Sequence, residues 1–108
     1  MEFKPLFNPV EKILEDYEYF MTAYQIGLEI KRNYPALWQQ IINEYGSDVG
    51  NGSGQEFSWA NYISLALEYC LANNKILGLQ KEFIATEGIK VRGITPGNEY
   101  VAIWRKKP

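Results

Sequence analysis

The chain has 108 residues, of which 46% are hydrophobic and 22% charged, a composition typical of one globular domain and not of a disordered segment. It has no histidine and one cysteine, Cys70, so it lacks the commonest general acid or base, the usual partner of a catalytic serine or cysteine, and a zinc ligand set. We therefore expect no enzyme activity, no metal and no cofactor, with Cys70 in the core. The net charge of −2 is uneven: residues 1–54 carry four basic and eight acidic side chains, and the chain from Lys75 onward carries seven basic and three acidic ones.

Two helix-start signals lie in the first quarter of the chain. Asn8 can cap a helix that has Pro9 at its first position, and residues 22–25 form a Ser/Thr-x-x-Gln capping box. These signals predict two helices, about 9–20 and 23–33. The apolar stripe continues across the boundary between them, so one continuous kinked helix is the alternative.

Two further helices follow. Pro35 can begin a third helix, because apolar residues keep helical spacing from there to Tyr45 and Gly46 is well placed to end it. Ser58 can cap a fourth helix over residues 58–74, which has a wide apolar face and no basic residue.

A glycine-rich segment over residues 46–57 separates these two helices. Its glycines Gly50, Gly52 and Gly54 predict a flexible loop. Phosphate-binding loops follow a strand, and the P-loop ends in Gly-Lys-Ser/Thr. This segment follows a helix and lacks that ending, so a surface loop is favoured over a nucleotide site.

The pattern changes to that of strands in the last third. Residues 83–85 fit a short strand, and residues 88–93 alternate with period two. Residues 95–98 have Pro and Gly where a type II turn requires them, and the segment 99–105 is rich in strand formers. We predict a hairpin that pairs 88–93 with 99–105, in a mainly α-helical α+β domain with a C-terminal β-hairpin.

Compact helices followed by a hairpin are the order of elements in winged-helix domains, which residues 22–108 resemble. The resemblance implies that the helix at 58–74 corresponds to the recognition helix and that the segment 88–105 corresponds to the wing. The segment 1–21 is then an extra N-terminal arm and helix, of the kind through which members of that family often dimerise. The whole chain is expected to form one compact unit.

Aromatic side chains point to a protein interface. Tyr100 and Trp104 share one face of the last strand and two apolar residues share the other, so a single layer of helices cannot bury both faces. Partly exposed aromatic residues often anchor interfaces. We predict a non-catalytic interaction domain, a homodimer or a binder of another protein, with these candidate interface residues: Phe3, Phe7, Tyr19, Phe20, Tyr100 and Trp104.

The alternative function is duplex DNA binding through the basic hairpin and C-terminal tail. A third hypothesis is a small-molecule pocket lined by aromatic residues between the helices and the hairpin. The candidate nucleic-acid contacts are Lys75, Lys90, Arg92, Arg105, Lys106 and Lys107.

The N-terminal sequence and the single cysteine also predict a cellular location. The first residues lack the basic and apolar run of a signal peptide, and no stretch approaches the roughly 20 apolar residues of a membrane span. A lone cysteine is typical of a reducing compartment. We therefore expect a cytoplasmic protein with no membrane partner.

Overall fold

Helices and a small antiparallel sheet form a mixed α+β domain, as expected at the level of fold class. The computed structural model describes residues 1–46, 58–85 and 100–107. The elements are α1 (Lys4–Asp16), β1 (Met21–Thr22), α2 (Ala23–Asn33), α3 (Pro35–Tyr45), α4 (Trp59–Ala72), β2 (Leu79–Ala85) and β3 (Tyr100–Lys106). The glycine-rich loop, with Gly50, Gly52 and Gly54, lies outside the described residues.

The capping signals at the starts of α2 and α4 are confirmed. The Thr22 hydroxyl accepts a hydrogen bond from the Gln25 amide at 3.2 Å, and the Gln25 side chain accepts one from the Thr22 amide at 2.8 Å. Ser58 Oγ likewise accepts from the Asn61 amide at 3.0 Å. The first quarter of the chain therefore contains two separate helices, and the continuous-helix alternative is wrong.

The predicted boundaries of the first helix are wrong at both ends. It begins at Lys4, with Pro5 in its first turn, and Pro9 lies inside it. Leu6 extends the buried stripe back by one turn, and its burial favours a helix even though Pro9 cannot donate a backbone hydrogen bond. The helix ends at Asp16 because Tyr17 has extended backbone angles.

Within the described residues, the last strand pairs with segments other than the predicted one. β3 pairs in antiparallel register with β2, from Leu79 opposite Lys106 to Ala85 opposite Tyr100. The predicted partner strand at 88–93 and the predicted turn at 95–98 lie outside the described residues. The predicted short strand at 83–85 is the C-terminal end of β2.

β3 is the middle strand of the sheet, whose order is β1-β3-β2. On its other side Met21 lies opposite Trp104 and Thr22 lies opposite Ile103. The sheet therefore connects the N-terminal third of the chain to its C-terminal end.

The core lies between the sheet and the helices. Trp104 contributes the largest fully buried side chain, and α1 contributes four buried residues in place of a detached arm. Gly27 lies where α2 meets α4, directly against the Trp59 ring. A Cβ atom at position 27 would overlap this ring, so the two helices can approach this closely only with glycine there.

This close approach predicts that Gly27→Ala destabilises the fold. Glycine to alanine in a helix ordinarily stabilises by up to about 1 kcal/mol, but overpacking against Trp59 should instead cost about 1–3 kcal/mol. Urea unfolding measures the free energy. In a Trp59→Leu background the same substitution should cost less, and an equal cost in both backgrounds would contradict the contact.

Candidate interaction surface

The sheet has two unlike faces, and ion pairs join one of them to the helices. Directly opposed residues in antiparallel strands share a face, so Lys81 and Lys106 lie on the same face as buried Trp104. Lys81 Nζ donates to Glu68 of α4. Lys106 Nζ lies 2.7 Å from Glu15 Oε1 of α1. Around Trp104, this helix-facing side of the sheet therefore packs against the helices.

The opposite face carries an apolar group formed by Ile84, Val101 and Ile103, which we call the sheet patch. Ile84 lies directly opposite Val101, and Ile103 lies opposite the exposed Glu82. Ile84 is 40% exposed. Val101 and Ile103 are half-buried but do not pack against the core, unlike Ala102 between them. The sheet patch is thus the apolar surface that the described helices leave uncovered.

A polar and aromatic group occupies the other end of this face. Arg105 donates two hydrogen bonds to Gln80 Oε1, at 3.2 and 3.0 Å. Its guanidinium lies 5.1 Å from the centre of the Phe20 ring, within range of a cation–π contact. Arg105 was predicted to contact nucleic acid and Phe20 to lie in a protein interface. In the structure they contact each other, and both are half-buried.

The aromatic residues of the N-terminal segment pack on their own chain. The Phe3 ring centre lies 5.9 Å from that of Tyr62 and 5.6 Å from that of Tyr69, and Phe7 stacks on Tyr69 at 5.9 Å. The Tyr62 hydroxyl donates to the Glu2 carbonyl, and burial raises the pKa of Tyr62 to about 12. Phe3 and Phe7 are thus largely used inside the domain.

The other predicted interface residues have different fates. Trp104 is 0% exposed, so the expectation that it is a partly exposed anchor is wrong. Tyr19 is 53% exposed and contacts Tyr17 edge-on at 5.5 Å, so it is accessible to a partner. The side chain of Tyr100 lies outside the described part of the chain.

The predicted basic surface is only partly free. Lys106 is paired with α1 and Arg105 is bound to Gln80, whereas Lys75 and Lys107 are exposed. Lys90 and Arg92 lie outside the described residues. The outer side of α4 adds exposed Leu65, Tyr69 and Leu71 and no basic residue, so it does not have the composition of a helix that reads a DNA groove.

The first four residues of one accessible strand, β2, are not predicted by the sequence, which indicates a strand only over residues 83–85. Its inward side chains are Leu79, Lys81 and Phe83, so a charged residue interrupts the apolar alternation that identifies a strand. Gly78 just before it has a φ of +76°, and a Cβ there would lie 3.0 Å from the Lys107 carbonyl oxygen. Gly78, followed by the apolar pair Phe83-Ile84, was the one sequence signal that could have located the start of β2.

Other kinds of site find little support in the described residues. Cys70 is buried, as expected for a core residue, and burial raises the pKa of its thiol. Over residues 1–46, 58–85 and 100–107, no three carboxylate or thiol side chains could jointly hold a metal ion. No described helix has the length and apolarity needed to span a membrane.

Comparison with known proteins does not assign this chain to a family. No family model, no curated protein and no solved structure matches it.

The ion pair between Lys106 and Glu15 predicts a pH dependence of stability. The hydrogen bond from Lys106 lowers the pKa of Glu15 below 4.5, so its contribution is present above pH 4.5 and is lost as the pH falls through the lowered value. The hydrogen bond to Glu15 raises the pKa of Lys106 above 10.5, so this contribution is lost as the pH rises through the raised value.

Lys106→Met should therefore flatten the dependence of unfolding free energy on pH at both ends. The matched control is Lys107→Met, which removes the neighbouring exposed lysine and should keep the wild-type profile. Urea unfolding across the pH range measures both. Identical profiles for the two variants would show that the pair contributes nothing.

Proposed function

We propose that this chain is a non-catalytic interaction domain of winged-helix-like architecture, that it self-associates, and that it binds a protein partner. The observation that carries the proposal is the sheet patch of Ile84, Val101 and Ile103, because apolar side chains on a sheet face that do not pack on the domain's own core are candidates for burial against another chain. The order of helices followed by β2 and β3 supports the winged-helix-like architecture.

The distribution of charge favours a protein partner over DNA. Phosphate binding needs unpaired basic side chains, and the carboxylate of Glu15 already neutralises Lys106. Glu68 likewise holds Lys81 against α4. Two of the seven basic residues from Lys75 onward, Lys81 and Lys106, are therefore used to attach the sheet to the helices.

The composition favours a role without catalysis. The chain has no histidine, and its one thiol, Cys70, is buried with a raised pKa and is therefore less available as a thiolate nucleophile. The carboxylates of Glu11 and Glu15 both lie within ion-pair distance of Lys106, at 3.8 and 2.7 Å, and serve as its partners.

Duplex DNA binding is the second candidate function, and Lys75 and Lys107 favour it. Both side chains are exposed, and they belong to neighbouring parts of the fold because the Lys107 amide donates to the Gly78 carbonyl at 2.8 Å, just after the turn that holds Lys75. Such a pair of lysines could contact a phosphate backbone.

Both functions can be tested by light scattering coupled to size-exclusion chromatography. The measurement is made at low and moderate salt, with and without a mixed-sequence DNA duplex. We expect a species larger than the monomer whose mass falls on dilution and is unchanged by the duplex. A monomer at every concentration would contradict self-association. A salt-sensitive complex with the duplex, weakened by Lys75→Gln with Lys107→Gln, would favour DNA binding instead.

A further inference from the structure

No described strand pairs with the outer edge of β2. Among the described strands β2 lies at the edge of the sheet, with β3 on one side only. Residues 82–85 are exposed, and Phe83 is 61% exposed. An edge strand presents unpaired backbone N–H and C=O groups that can form a ladder with a further strand.

Two of the usual protections of an edge strand, proline and a β-bulge, are missing from β2. It contains no proline, and its seven residues pair with β3 without a bulge. Lys81 does not protect the edge with its charge, because its Nζ is bound to Glu68. The same Nζ lies over the rings of Phe83 and Trp104, at 4.7 and 5.5 Å from their centres. The edge is therefore long, regular and apolar at its C-terminal end.

We infer that a second copy of this chain docks on this edge, with the two β2 strands antiparallel and Phe83 opposite Phe83 of the second copy. The inference rests on the proposed self-association and names its surface. A two-fold axis perpendicular to the sheet would relate the copies, so the two sheets would join into one and each face would continue across the junction.

Several registers would let each face of the sheet continue from one copy into the other. Repulsion between like charges favours the one centred on Phe83. Centring the pair on Lys81 or on Glu82 would place like charges directly opposite each other, which is destabilising. Centring it on Phe83 places Glu82 opposite Ile84 and Lys81 opposite Ala85, and pairs residues 81–85 with no like charges opposed. Centring it on Ile84 would pair only residues 83–85.

The Phe83 register also explains the exposed apolar residues of this region. The two Phe83 rings would form a cross-strand aromatic pair on the helix-facing side. On the other side the sheet patches of the two copies would lie next to each other, because Ile84 adjoins the shared edge and Val101 lies beside it on β3. One association would thus bring together Phe83 and Ile84, which are 61% and 40% exposed in each copy.

The test compares Phe83→Lys with Leu28→Lys by light scattering over a dilution series. Leu28 is a matched control because it is 58% exposed and lies on α2, away from the edge. We expect Phe83→Lys to raise the dimer dissociation constant by about tenfold or more, because it opposes two ammonium groups, and Leu28→Lys to leave it unchanged. Both variants should keep the wild-type circular dichroism spectrum, which shows that they fold.

A charge-swap experiment makes the test specific for the register. Phe83→Glu alone should also weaken the dimer, whereas an equimolar mixture of Phe83→Glu with Phe83→Lys should restore it, because unlike charges would then lie opposite each other.

Amide hydrogen exchange tests the same edge pairing in the wild-type protein, without any substitution. Protection of the backbone amides of residues 81–85 should fall on dilution to the monomer.

The outcomes separate this inference from the proposed function. A wild-type protein that is monomeric throughout overturns both. A wild-type dimer that Phe83→Lys and Leu28→Lys affect equally, or that the mixture of charged variants does not restore, overturns the edge pairing and leaves self-association standing.

Discussion

The burial of Trp104 in the middle strand organises the domain. Its Cα partners on the two sides are Met21 and Lys81, so one residue joins a strand from the first quarter of the chain to two strands from its last third. Among the described residues the indole Nε1 has no hydrogen-bond partner, so the ring contributes to stability through its buried apolar surface. Since the ring lies between the sheet and the helices, its position decides which sheet face belongs to the core.

The two faces then acquire different chemistry. On the face of Trp104, Lys81 and Lys106 reach carboxylates on α4 and α1, so charges that look like a basic surface in the sequence connect layers of the fold. On the other face, Ile84 and Val101 form the centre of an apolar surface that packs on no described helix. This asymmetry is the basis of the proposal that the domain associates with another protein chain.

The abundant aromatic residues serve mainly to join helices. Trp59 packs edge-on against Tyr24 of α2 at 5.8 Å and against Trp38 of α3 at 5.1 Å, and Gly27 leaves room for its ring. Phe3 joins the N-terminal segment to α4 in the same way. Amphipathic aromatic residues near a chain end are equally consistent with an interface and with internal packing, and here the second use accounts for most of them.

The sequence by itself determined the features that depend on neighbouring residues. The capping box at Thr22 and the cap at Ser58 were predictable because each hydrogen bond spans three residues. The early start of α1, the part of β2 before residue 83 and the burial of Trp104 were not, because they depend on partners far along the chain. Only the tertiary structure decided which strand pairs with β3 and which of its faces is buried. A lysine on the buried face looks unfavourable in the sequence, and it is compatible with that face because Glu68, distant in sequence, forms an ion pair with Lys81.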